Sequence, residues 1–181
     1  LRSENFTVNE LDLLTAEIPE NAKMLVIFSP KRDFSVEEIA KLDAFMANGG
    51  QLQIYLPPAA GSDFANLKGF LNEWGLDFED DIVVDTGKQN SLTIPGLGSL
   101  LIPNLENHTI TNSISSASLR VATDFSRSVK TILNETAGLT TSVLLETSEE
   151  SYSRADYLED SDLYTKKDTD VDGPFALAAV A

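Results

Sequence analysis

Residues 23–58 show the pattern of a strand, a helix and a second strand, and this order constrains the fold more than any other stretch. Met24–Phe28 is an uninterrupted apolar run, which is typical of a strand with both faces buried. Residues 52–56 alternate between apolar and other side chains, which predicts a second strand. Two strands joined by one helix run parallel with a right-handed crossover, so the stretch predicts a β-α-β unit.

The helix between these two strands has sequence signals at both of its ends. Ser35 and Glu38 have the spacing of a capping box, in which the two side chains satisfy free backbone N–H groups. Apolar residues then recur at helical spacing. Asn48-Gly49-Gly50 predicts the end of the helix, because glycine supplies a positive φ without strain.

The rest of the chain predicts an α/β domain with a mostly parallel sheet. An amphipathic pattern over 64–74 predicts a second helix, and Ile82–Asp85 predicts a third buried strand. Glycines and prolines separate short β-prone pieces over about 87–122, which we interpret as a β-rich insertion. Residues from about 149 to 172 are acidic and are expected to form a solvated loop before a final strand. A length of 181 residues fits one domain spanning 1–181.

The composition excludes several classes of function. The 29 Asp and Glu residues outnumber the 13 Lys and Arg residues and give a net charge of −16. Such a surface repels phosphate backbones and anionic lipid headgroups, so we expect no nucleic-acid partner. The chain has no cysteine, which excludes disulfides, thiolate metal sites and a cysteine nucleophile.

No catalytic signature is present, and we expect no enzyme and no cofactor. His108 is the only histidine, and a lone histidine is a poor metal site. It could act as a general base only beside a nucleophile, and no serine lies in a Gly-x-Ser-x-Gly turn. The alternative interpretation is a histidine that hydrogen-bonds the backbone at a turn. The chain also lacks a P-loop, so it is not an ATPase subunit of that type.

The acidic segment contains half of a calcium-binding pattern. Asp168, Asp170 and Asp172 alternate before Gly173, and alternate carboxylates with a glycine turn are typical of the start of a calcium loop. The glutamate that such a loop carries at its twelfth position is missing, because Ala179 lies there. A calcium site at these three aspartates therefore remains one hypothesis, and a solvated acidic loop is the other.

A small ligand would have one main candidate site. Ligands of open α/β sheets bind beyond the carboxyl ends of the strands, where Lys31 and Arg32 follow the first predicted strand and Asp85 ends the third. An anionic ligand would select two basic residues on an otherwise acidic protein, and His108 is a further candidate contact. The alternative is that Lys31 and Arg32 only solvate a loop.

The ends of the sequence lead us to expect a segment of a longer protein. The chain begins at Leu1 without a methionine and stops inside an apolar run, residues 175–181. No apolar stretch is close to the length of about 20 residues that a membrane span requires.

Several short sequence motifs, taken in order along the chain, resemble those of a known family. The residues that carry the resemblance are Leu11-Asp12-Leu13-Leu14, Ile18-Pro19, Leu25–Pro30, Asn48-Gly49-Gly50 before a strand ending in Pro57, Trp74-Gly75-Leu76, Ile82–Asp85, His108-Thr109-Ile110-Thr111, Leu144–Ser148 and Gly173-Pro174-Phe175. The chain resembles the auxiliary-component domain of ABC transport systems, a group that includes the gliding-motility transporter auxiliary protein. The resemblance spans nearly the whole chain.

The resemblance carries expectations about fold, location and partners. It implies a three-layer flavodoxin-like or glutamine-amidotransferase-like α/β domain. It implies a domain at the cell membrane, on the extracytoplasmic side, between transmembrane helices that lie outside this sequence. It implies the ABC permease and ATPase subunits of the same system as partners. The family supplies no agreed catalytic residues, and the chemistry of amidotransferase-like relatives needs the cysteine that this chain lacks.

Two functions therefore remain open at this point. The first is a non-catalytic extracytoplasmic interaction domain of an ABC-type transport system. The second is a small-ligand-binding or vestigial hydrolase-like domain with its site at the carboxyl ends of the parallel strands.

Overall fold

The computed structural model describes residues 6–58, 63–94, 98–132, 138–159 and 162–181. The chain divides into two compact units. Unit one takes residues 1–55 and 63–70, and unit two takes residues 56–62 and 71–181. A single domain over the whole chain stays a prediction.

Unit one contains the predicted β-α-β unit. Strand β1 (Met24–Phe28), helix α1 (Val36–Ala47) and strand β2 (Gln51–Tyr55) follow one another, and β1 and β2 pair in parallel. Helix α2 (Ala65–Glu73) begins within the same unit. The prediction of strand, helix and parallel strand is confirmed.

Helix α1 begins and ends at the predicted residues. The Ser35 hydroxyl accepts from the Glu38 backbone N–H at 3.3 Å, and the Glu38 carboxylate accepts from the Ser35 N–H at 2.8 Å. Gly49 has a φ of 82°, which a side chain with a Cβ would oppose. Leu42 in the middle of the helix is fully buried. The capping box therefore forms as the sequence predicts.

Unit two consists mainly of β-strands. Its elements after α2 are β3 (Leu76–Phe78), β4 (Ile82–Asp85), β5 (Ser91–Ile94), β6 (Gly98–Leu101), β7 (Asn104–Leu105), α3 (Asn112–Ser116), β8 (Val129–Thr131), β9 (Ser142–Glu146), β10 (Ser151–Arg154), a 3₁₀ turn (Tyr157–Glu159), β11 (Val171–Asp172) and β12 (Ala176–Val180). The described strands form a five-stranded sheet in the order β3-β8-β12-β9-β7, a three-stranded sheet in the order β11-β10-β4, and the hairpin β5-β6. Every strand pairing in this unit is antiparallel among the residues described.

The predicted three-layer flavodoxin-like or amidotransferase-like fold is wrong. Within the described residues only β1 and β2 pair in parallel, and there are three α-helices. Strand β4 explains the error. Its four residues are buried as predicted, but its partner is the polar strand β10, which runs antiparallel and places Tyr152 opposite Val84. An apolar run indicates burial on both faces, but it does not give the direction of the neighbouring strand.

Two further segments of unit two contain secondary structure. The region over 87–122 contains the hairpin β5-β6, strand β7 and helix α3. The acidic region over 149–172 was expected to be a solvated loop, but it contains the fully buried strand β10 as well as the 3₁₀ turn. The difference arises because Tyr152 and Arg154 place large side chains in the interior of unit two.

Candidate functional site

Arg32, a predicted ligand contact in unit one, is held by a neighbouring carboxylate. Its guanidinium donates to both carboxylate oxygens of Glu38, at 2.8 and 3.0 Å, and to the Asp33 carbonyl at 2.7 Å. The hydrogen bond from Arg32 lowers the pKa of the buried Glu38 carboxyl, and the same bond raises the pKa of Arg32. Arg32 therefore stabilises the first turn of α1. Lys31 is exposed, and its ammonium donates to the Ser29 hydroxyl at 3.3 Å.

Asp33 supplies a carboxylate to the start of α2. Its two oxygens accept from the backbone N–H groups of Asn66 and Leu67, at 2.7 and 3.1 Å. The amino end of a helix attracts anions because its first N–H groups are free and its dipole is positive there. Unit one thus fills this anion position with its own side chain.

Asp85, the predicted ligand contact in unit two, is buried and bonded within the chain. It accepts from the Gly87 N–H at 2.9 Å, from the Ser148 N–H at 2.8 Å and from the Ser148 hydroxyl at 2.7 Å. These bonds join the end of β4 to the turn between β9 and β10. The arrangement supports a structural function for this carboxylate.

His108 lies at the turn that precedes α3. Its Nδ1 accepts from the Ile110 backbone N–H at 3.2 Å, and its carbonyl accepts from the N–H groups of Thr111 and Asn112 at 3.0 and 2.8 Å. This is the backbone-bonding arrangement that was the alternative to ligand contact. Lys31 and Arg32 belong to unit one, whereas Asp85 and His108 belong to unit two. Ligand binding by these four residues stays a prediction.

The three aspartates of the calcium hypothesis have different surroundings. Asp170 pairs with Arg154, whose Nε and Nη2 donate to its carboxylate at 2.8 and 2.6 Å. Asp172 forms an ion pair with Lys166, and Asp168 is exposed. In the ranges that the structure describes, no group of three or more His, Asp or Glu residues is placed to hold a metal ion. The observed partners of Asp170 and Asp172 are cationic side chains of the same segment.

The Arg154–Asp170 pair is the buried centre of this acidic segment. Both side chains are 1% exposed, and the Arg154 guanidinium also donates to the carbonyls of Asp162 and Thr165, each at 2.8 Å. The bond from Arg154 is the main cause that lowers the pKa of Asp170. One cation therefore holds the chain over 162–170 in place.

The exposed face of the parallel strand pair is the most unusual surface of unit one. On this outer face, which we define as Val26, Phe28 and Tyr55, Phe28 is 75% exposed and Tyr55 is 46% exposed. The two rings lie 5.3 Å apart between centroids and are tilted by 50°. Parallel strands are normally covered on both faces, and the predicted burial of both faces of β1 is wrong here. Unit one thus presents an aromatic pair to solvent.

Comparison with solved structures shows a similar fold. A chain described as "mmIFT52 N-terminal domain" matches with a TM-score of 0.52 and 20% identity, over 71% of this chain and 54% of that chain. The chain thus spans about half the length of that solved structure. A likeness at this identity concerns the fold alone. A search of curated proteins found no match.

Comparison with family models identifies the family of this chain. The model of an auxiliary family described as "ABC-type uncharacterized transport system" matches residues 2–181. The chain belongs to this family. It is an auxiliary component of an ABC-type transport system, as the resemblance in sequence predicted. In the part of the chain that the structure describes, no helix is long and apolar enough to cross a membrane.

The outer face of this ABC auxiliary domain and its buried Arg154–Asp170 pair are features that the sequence did not predict. Both depend on the tertiary arrangement. The sequence did contain one indication of the buried pair. Tyr152 and Arg154 occupy alternate positions of a strand that precedes an acidic stretch. A long cation in such a strand next to many carboxylates is a candidate for a buried pair.

Proposed function

We propose that this auxiliary domain is non-catalytic, lies on the extracytoplasmic side of the membrane and works beside the permease and ATPase subunits of its transport system. Family membership supports the association with an ABC-type system. The outer face of unit one supports a contact function, and this is the observation that carries the proposal. The contact that we infer is with the permease, because it is the subunit that an extracytoplasmic domain can reach.

The outer face has the composition of a binding surface. Aromatic side chains contribute most to protein–protein binding when they enter a dry pocket on a partner. Covering a Phe side chain completely contributes about 1.5–3 kcal/mol from its apolar area. Phe28 and Tyr55 are already in contact with each other, so little side-chain freedom is lost when a partner covers them.

The hydrogen bonds of Asp85 and His108 support a non-catalytic function. The Asp85 carboxylate is occupied by three hydrogen bonds, and the His108 Nδ1 accepts from a backbone N–H. A general base needs a free acceptor within reach of a nucleophile. Neither group provides one in this arrangement.

Small-ligand binding at Lys31 and Arg32 remains the second hypothesis, with less support. The Arg32 guanidinium is paired with Glu38, so its charge is already largely neutralised for an anionic ligand. Lys31 alone leaves an exposed ammonium that any anion could approach.

Replacing Phe28 and Tyr55 by serine should abolish the contact with the permease. We expect recovery of the permease with the full-length protein from native membranes to fall at least tenfold, because two aromatic contacts are removed from one patch. The measurement is co-purification followed by mass spectrometry. The matched control is Val36→Ser, which changes an exposed apolar residue of the same unit at the start of α1. Equal recovery with the double variant and with wild type would contradict the proposal.

A further inference from the structure

Strand β1 has an edge with no neighbouring strand in the part of the chain that the structure describes. There it pairs with β2 alone, in a two-stranded sheet. The Lys23 carbonyl accepts from the Gln51 N–H at 3.1 Å, which shows which residues face β2. Alternate residues of a paired strand direct their backbone groups to opposite edges. The residues whose N–H and C=O groups point away from β2 are therefore Met24, Val26 and Phe28.

The composition of β1 is that of a strand inside a sheet and not of a strand at its edge. All five residues of β1 are apolar. In β2 polar side chains alternate with apolar ones, which is typical of a strand with one face in water. Edge strands usually carry a charge, a proline or a bulge that prevents further pairing, and β1 has neither a charge nor a proline. A strand beside β1 would have apolar neighbours on both faces of the sheet.

The unpaired edge of β1 is open to solvent. Val26 is 39% exposed and Phe28 is 75% exposed, so water reaches the strand at residues whose backbone groups point outward. A row of unpaired N–H and C=O groups on an open edge binds an extended peptide through main-chain hydrogen bonds. The edge therefore has the geometry for the addition of one strand.

The charges at the two ends of β1 indicate what kind of strand fits. Lys23 directly precedes the strand and Lys31 follows it, and both are exposed on a protein of net charge −16. A strand along this edge thus has an ammonium group near each end, which favours carboxylates at the ends of the partner segment. A second copy of the chain fits less well, because it would bring the same lysines and another −16.

We propose that an extended segment of the permease, apolar in its middle and acidic at its ends, adds as a strand to the unpaired edge of β1. This inference rests on the proposed function, which supplies the partner. Main-chain hydrogen bonds give such a complex its affinity, and side chains give it specificity. The added strand also extends the outer face, because alternate side chains of the segment lie beside Val26 and Phe28.

The first test uses a synthetic peptide in which valines and isoleucines lie between pairs of aspartates. Its binding to the full-length protein is measured by isothermal titration calorimetry. One control peptide is N-methylated at every apolar residue, which removes the main-chain donors, and the other has lysines in place of aspartates. We expect each control to bind at least tenfold more weakly. Equal binding of either control, or no binding of the aspartate peptide, would overturn the proposal.

The second test changes the edge of β1 in the protein. Val26→Pro removes an N–H that points away from β2, so β1 can keep its pairing with β2. We expect this variant to bind the aspartate peptide at least tenfold more weakly. The matched control is Val26→Ala, which shortens the same side chain, keeps the N–H and should bind nearly as wild type does. Circular dichroism shows whether Val26→Pro is folded.

Charge reversal tests the same edge without changing the backbone. Lys23→Glu should weaken binding of the aspartate peptide and strengthen binding of the lysine peptide, each at least threefold. The matched control is Lys68→Glu, which makes the same change of charge on α2 and should alter neither affinity. Equal effects of the two substitutions would mean that net charge alone acts, and would contradict a segment with acidic ends.

Recovery of the permease from native membranes separates this inference from the proposed function. Loss of the permease with Val26→Pro and not with Val26→Ala would support strand addition. Full recovery with Val26→Pro, together with loss in the Phe28/Tyr55 double variant, would overturn strand addition and leave the proposed function intact. Full recovery in both variants would contradict both. A wild-type dimer in sedimentation that Val26→Pro dissociates would assign the edge to a second copy and overturn the proposal.

Discussion

Arg154→Met is expected to destabilise unit two by about 3 kcal/mol, because it leaves a buried carboxylate without its cation. Both Arg154 and Asp170 are 1% exposed and are joined by two hydrogen bonds. The substitution also removes the donors to the carbonyls of Asp162 and Thr165. The free energy of unfolding is measured by urea denaturation. The probe is the fluorescence of Trp74, the only tryptophan and a residue of unit two.

The control for Arg154→Met is Lys166→Met in the same acidic segment. Lys166 pairs with Asp172, and both side chains are exposed. Exposed ion pairs contribute between about 0 and 1 kcal/mol, so this substitution should change stability little. Equal effects of the two substitutions would show that burial of the Arg154 pair does not determine its contribution.

The effect of Arg154→Met should depend on pH in a defined direction. Arg154 lowers the pKa of Asp170 in the folded state, whereas the pKa of an aspartate in the unfolded chain is about 3.9. The pair therefore contributes its full stability above that pH and loses it as the pH falls through the folded pKa. The difference in the free energy of unfolding between wild type and Arg154→Met should thus become smaller below about pH 4. A difference that stays constant from pH 7 to pH 3 would contradict this account.

Asp85→Ala is the second substitution with a large expected effect, also about 3 kcal/mol of lost stability. The change removes the acceptor for the backbone N–H groups of Gly87 and Ser148 and for the Ser148 hydroxyl. Leaving a buried donor without a partner costs about 1–3 kcal/mol. The measurement is again urea denaturation followed by Trp74 fluorescence.

Asp124→Ala is the matched control, because Asp124 is an exposed aspartate of the same unit. Its loss should change the free energy of unfolding by less than about 0.5 kcal/mol. If Asp85→Ala were as mild as Asp124→Ala, the carboxylate would not hold the end of β4. The second hypothesis, a ligand function for Asp85, would then gain support.

The sequence predicted the β-α-β unit because its signals are local. The capping box at Ser35 and Glu38 and the glycine at position 49 act within a few residues of the helix ends. The short connections around α1 leave the two strands few arrangements other than a parallel crossover. Such features can be derived from neighbouring residues alone.

The rest of the fold depends on pairings between distant residues. Strand β4 is buried as predicted, but its partner β10 lies more than sixty residues away and is polar. Extrapolating a parallel sheet from one β-α-β unit therefore failed in unit two, where β3 as well as β4 pairs with a strand that is remote in sequence. No periodicity in the sequence encodes which strand lies beside another.

The candidate site shows the same division between local and distant information. Lys31, Arg32, Asp85 and His108 were selected because their residue types suit ligand contact. The structure shows that Glu38 engages Arg32 and that Ser148 donates to Asp85. The sequence also did not predict the exposure of Phe28, because an apolar residue in a strand is usually buried. Composition identifies groups that can bind, and only the tertiary structure shows which of them are already occupied.

Photo-cross-linking from position 28 in the full-length protein, carried out in native membranes, tests the central claim most directly. The captured protein is identified by mass spectrometry, and position 36 on α1 serves as the exposed control. We predict that the permease of an ABC-type system is captured from position 28 and not from position 36. Capture of no transport-system subunit from position 28, or equal capture from both positions, would contradict a contact function for the outer face.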